Sequence, residues 1–106
     1  MTRSVVSGPV WLTSEDTWEK FPHLARYGTG FLIGWTTSTT AGDFSTPAVW
    51  KMAEITSTGS FVEGPITLPS TQTFGYGTSW VTLPDGDVAW PTRVDGTTIG
   101  IVRVDR

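Results

Sequence analysis

The chain repeats itself. Ser4-Val5-Val6-Ser7-Gly8-Pro9-Val10-Trp11-Leu12-Thr13-Ser14 returns 56 positions later as Ser60-Phe61-Val62-Glu63-Gly64-Pro65-Ile66-Thr67-Leu68-Pro69-Ser70. The same offset matches Trp18 with Phe74, Leu24 with Trp80, Ala25 with Val81 and Gly30 with Gly86. After one deletion, Gly34-Trp35 matches Ala89-Trp90. A repeat of this length is one supersecondary unit, and such a unit buries its apolar faces only against neighbours.

Strand formers fill the repeat. In the second copy, Thr78 to Leu83 alternates in character and runs into Pro84-Asp85-Gly86, a hairpin signal. Asp87 to Arg93 is the return strand, Val94-Asp95-Gly96-Thr97 turns again, and Thr98 to Val104 is a third strand. The first copy predicts matching strands over Pro22–Tyr27, Gly30–Thr37 and Ala48–Ile55, then a fourth over Phe61–Leu68. With these labelled A to D, Val5–Leu12 matches the fourth strand and precedes the first A. The order is therefore D-A-B-C-D-A-B-C. No window has sustained helical periodicity. The 12 Gly and 7 Pro in 106 residues suit tight turns, and 6 Trp, 5 Phe and 2 Tyr supply a core.

Four-stranded antiparallel units with a permuted outer strand resemble β-propeller blades closed by an exchanged strand. The resemblance is one of plan and covers almost the whole chain. It implies one all-β domain over residues 1–106. Residues 1–12 would be an outer strand completing a blade, 13–68 the first blade, and 69–106 a second blade without its own outer strand. Propellers have about four to eight blades. Two cannot close, so the resemblance implies a homo-oligomer, a trimer giving six blades or a tetramer eight, with the A strands lining the axis. The termini fit: Val104-Asp105-Arg106 followed by Met1 to Val5 resembles Ile55 to Phe61. A section of a longer propeller and an eight-stranded sandwich or barrel are the alternatives.

The chemistry is sparse. There is no Cys and one His, His23, so neither a disulfide framework nor single-chain zinc ligation of the ordinary kind is available. His23 has no nucleophile-elbow motif beside it, and its counterpart is Ser79, so a structural or axis-lining role is expected. Glu15, Asp16, Glu19, Asp85 and Asp87 lack calcium-loop spacing and read as solvated turn acids. Asp16, Glu19, Asp43 and Asp95 are the carboxylates for a glycosidase reading, which is disfavoured because a homo-oligomer would repeat each acid symmetrically. A net charge of −3 with scattered basic residues argues against nucleic acid. No apolar run approaches a membrane span, and no signal-peptide h-region follows Met1-Thr2-Arg3.

Aromatic residues are the remaining signal. Trp35/Trp90 and Trp18/Phe74 occupy equivalent positions, which points to packing between repeats. Trp11, Trp50 and Trp80 have no aromatic counterpart, Trp50 aligning near Ile99 or Gly100. An unrepeated indole can stack on a sugar ring while charged side chains bond its hydroxyls. The candidate ligand set is Asp16, Trp18, Lys20, Trp50, Tyr76, Arg93 and Asp95, all expected on or near the loops at one end of the strands. The expectation is a non-catalytic, multivalent, lectin-like ring without cofactor or metal. It resembles small two-blade lectins in plan only. The competing class is a scaffold without small-molecule ligand, natural or engineered.

Overall fold

The computed structural model describes residues 18–38, 49–69, 71–75, 77–93 and 96–106, with the backbone alone for 18–20. Those residues are all-β, with no helix among them. β1 (Trp18–Tyr27), β2 (Gly30–Ser38), β3 (Val49–Ile55) and β4 (Ile66–Thr67) form one antiparallel sheet in chain order. β5 (Val81–Thr82), β6 (Val88–Arg93) and β7 (Ile99–Val104) form a second. The expected outer strand at Val5–Leu12 lies outside the described residues.

Turn chemistry sets the hairpins. Gly28 at φ 60° lets Tyr27 return directly to pair with Gly30. Gly86 at φ 95° does the same work in the second sheet, where the Gly86 N–H donates to Leu83 O at 2.9 Å and the Leu83 N–H to Asp87 O at 2.8 Å. The Asp85 carboxylate accepts the Asp87 N–H at 3.0 Å, the Asx contact that makes Pro-Asp-Gly a turn.

Three strands depart from their expected limits. β1 begins earlier, at Trp18, and is bulged: Lys20 pairs with Thr36 and His23 with Gly34, so Phe21 and Pro22 together oppose Trp35. Pro22 cannot donate to a ladder, and Phe21 takes a left-handed φ of 55° to absorb the extra residue. The outer strand of the first repeat touches β3 at two places. Phe61 bridges Ile55 and the Val62 N–H donates to Glu54 O at 2.9 Å, then Ile66–Thr67 pair and Leu68 N–H donates to Trp50 O at 2.8 Å. Glu63-Gly64-Pro65 interrupts the ladder, as Gly-Pro must. β5 is shorter than Thr78–Leu83 because a turn occupies its start: Thr78 N–H donates to Gly75 O, and Thr78 Oγ1 accepts from the Gly75 N–H at 2.8 Å.

The core lies between the sheets. Ala25, Leu32, Met52 and Leu68 from the first meet Phe74, Val88, Trp90 and Val102 from the second, with Tyr27, Trp50, Trp80 and Val104 at the margin. Val88 is fully buried and Trp90 is 1% exposed. Trp80 stacks on Trp90 with centroids 4.2 Å apart and planes 7° apart, and Phe74 meets both edge-on. Gly34 admits this cluster: a Cβ there would stand 2.6 Å from Trp80 Cζ2 and 2.9 Å from Phe74 Cζ. At the turn end, Thr82 Oγ1–H donates to Arg26 O at 2.7 Å, and the Tyr27 hydroxyl donates to Asp105 O. Burial, then the nearby Glu54, Asp105 and Asp87 charges, push the Tyr27 hydroxyl pKa up.

The ladders fix which face each repeat presents. Trp90 shares a face with Val102, inside the core, whereas Trp35 shares one with Lys51, away from it. Trp80 is in the core and its counterpart Leu24 is 54% exposed on the far side. Ala25 is in the core and its counterpart Val81 is 50% exposed. Equivalent residues face opposite ways. The second sheet is thus related to the first by a step and a turn, not by a two-fold exchange.

Candidate functional site

Strand direction gathers one set of residues at one end. Trp18 and Lys20 are at the start of β1 opposite Ser38 and Thr36, Trp50 is near the start of β3, and Arg93 ends β6 opposite Ile99. The two hairpin turns lie at the other end, where Arg106 approaches both Gly28 and Gly86. Asp16, Tyr76 and Asp95 lie outside the described residues.

Trp50 is half-buried against the core, and its indole N–H donates to Phe74 O at 2.7 Å. That bond ties the second strand's neighbour, β3, to the segment entering the other sheet. The ladder also identifies its counterpart. Thr36 pairs with Trp50 as Pro91 pairs with Ile101, so Trp50 corresponds to Ile101, the shift arising from the longer connection between β2 and β3.

Arg93 borders a cleft of about 370 Å³ lined by Pro91, Thr92, Gly96, Thr97, Thr98 and Ile99. Thr92 is 6% exposed, and among the described residues its hydroxyl has no hydrogen-bond partner. A buried hydroxyl left unpaired is costly, so its retention beside a cleft calls for a reason. Sequence reasoning did not single out Thr92; no motif surrounds it, and only the ladder register places it inside. Hydroxyls, a guanidinium and an apolar wall in a space of this size can hold a small polyhydroxylated ligand.

A second groove, about 690 Å³, runs between the sheets. Met52 and Ile66 of the first sheet, with Leu68 just after β4, form one wall, and Gly100 to Val104 of β7 with Asp105 form the other. Among the described residues β7 pairs with β6 alone, so its other edge, along the groove, has no strand partner among them.

His23 belongs to the aromatic cluster. Its Nδ1–H donates to Phe21 O at 2.6 Å, and its ring lies 4.8 Å from Phe74 and 5.7 Å from Trp80. The acids near the turn are engaged with Arg103, which donates from Nε to Asp87 at 2.7 Å and pairs with Asp85. The Arg106 backbone N–H, then Arg103, hold the Asp87 carboxyl below the usual carboxylate range. Among the described residues no cluster of three His, Cys, Asp or Glu groups is placed to hold a metal ion, and no helix is long and apolar enough to cross a membrane.

Comparison with protein-family models, curated proteins and solved structures finds no match.

Proposed function

We propose that this chain is a subunit of a homo-oligomeric β-propeller, a trimer or tetramer, that binds carbohydrate multivalently and without catalysis. The edge of β7 that has no strand partner among the described residues, facing a groove with an apolar wall, carries the reading. Residues 4–12 repeat the sequence of the strand that closes the first sheet, and an equivalent strand from a second copy suits that edge. The cleft beside Arg93 and Thr92 supports the sugar assignment, with one such cleft per subunit on the same side of a ring. Weak single sites on a rigid frame gain avidity together, roughly a hundredfold or more.

The test separates binding from folding. Thr92→Val removes a hydroxyl that has no partner among the described residues, so stability is expected to hold or rise. Sugar binding, read on a glycan array and then by calorimetry, is expected to fall about tenfold or more with Arg93→Ala and to persist with Thr92→Val, whose hydroxyl is sealed from the cleft. A blank array from the folded, assembled protein would reject the carbohydrate reading.

A second reading, a scaffold without small-molecule ligand, is favoured by the aromatics. Trp50, Trp80 and Trp90 are all engaged in joining the two sheets.

A further inference from the structure

The strand that closes the first sheet has a defined register. Ile66 pairs with Met52 and Thr67 with Lys51, the Leu68 N–H donates to Trp50 O at 2.8 Å, and the Val62 N–H donates to Glu54 O at 2.9 Å. β7 corresponds to β3, because Lys51 pairs with Trp35 as Val102 pairs with Trp90. Along the 690 Å³ groove the edge of β7 has no strand partner among the described residues. Residues 4–14 repeat 60–70 at an offset of 56. Carried across to β7, the register sets Val10 opposite Arg103, Trp11 opposite Val102 and Leu12 opposite Ile101, with the Val6 N–H directed at Asp105 O.

Directly opposed residues share one face of a sheet. Val102 is in the core, so this register turns Trp11 inward, toward the groove wall of Met52, Ile66 and Leu68. Ile66 is 51% exposed there, and an indole is the side chain that covers most apolar surface. The counterpart of Trp11 is Thr67, exposed opposite Lys51 on the face away from the core. The two sheets turn opposite faces to their junction, so one repeat needs a polar residue at this position and the other a large apolar one. Leu12, on the other side of the strand, meets Ile101, which is 70% exposed.

The path of the chain names the donor. The strand that closes the first sheet leads on into the second sheet. Residues 4–12 lead into the first sheet, so by the same path they close a sheet that stands ahead of it. We infer that residues 5–12 of a second copy add to the edge of β7, and that their Trp11 fills the groove between the sheets. This rests on the oligomer reading and deepens it by naming the strand, its register and the residue that anchors it.

The chain has no Cys, so disulfide trapping reads the register directly. Leu12→Cys and Ile101→Cys, made in separate chains and mixed, are expected to form an interchain disulfide under mild oxidation. Leu12→Cys mixed with Ile99→Cys, two residues out of register, is expected to link at least about tenfold less. By sedimentation and native mass, Trp11→Ala is expected to weaken self-association at least about tenfold, Trp11→Phe to retain most of it, and Thr67→Ala to leave it unchanged. Three results overturn this docking while leaving an oligomer standing: no link in the Leu12→Cys and Ile101→Cys mixture, a link only when both cysteines are in one chain, or a Trp11→Ala chain that assembles like the unaltered one. A folded, unaltered chain that stays monomeric overturns the docking and the oligomer together. A blank glycan array overturns only the ligand assignment.

Discussion

Gly34 is where the junction between the sheets is tightest. The Trp80 ring occupies the place of a side chain there, so Gly34→Ala is expected to destabilise by roughly 1–3 kcal/mol through overpacking, measured by urea denaturation. Asp87 gives a pH-dependent counterpart. Its folded pKa lies below the unfolded value, so its contribution is complete above the unfolded carboxyl pKa, about 3.9, and is lost as pH falls through the lower folded value. Asp87→Asn is expected to lower the melting temperature near neutrality and to flatten its decline in acid. An unchanged acid limb would count against the Arg103–Asp87 contact as a stabilising one. Single residues were the least legible part of the sequence. Trp50 reads as an unrepeated aromatic suited to a ligand, yet its N–H joins it to Phe74 O. Thr92 carries no sequence signal at all, because an unsatisfied hydroxyl is a property of three-dimensional register.

At the scale of elements the sequence was most legible. Alternation and turn dipeptides indicated eight strands; seven match the observed ones in order and pairing, β2, β3, β6 and β7 within a residue or two, and the eighth, Val5–Leu12, lies outside the described residues. The misses share a cause. At Phe21-Pro22, Glu63-Gly64-Pro65 and the Gly75–Thr78 turn, local backbone chemistry overrides a period-two pattern, either by removing a donor or by offering a competing bond. The edge of β7 yields the element-scale prediction. Deleting residues 1–12 is expected to abolish assembly while the Trp80–Trp90 junction stays folded, followed by sedimentation and near-ultraviolet circular dichroism. A peptide of residues 4–12 is expected to bind the shortened chain. If that chain forms the original oligomer unaided, strand exchange is wrong.

For the whole molecule, the repeat disclosed that there are two units but not how they meet. Period-two alternation defines two faces per sheet and leaves open which face turns inward. Trp35 and Trp90 look interchangeable in sequence, and only the ladders show one turned into the core and the other away. This handed relation between units has a genetic corollary. If copies of the chain assemble as proposed, a joint whose two sides differ would work equally well whether or not a peptide bond runs through the pair, and unit number within a gene and copy number in the particle would become exchangeable quantities. An in-frame tandem duplication would lengthen the polypeptide and halve the copies required, without a single new complementary surface having to arise.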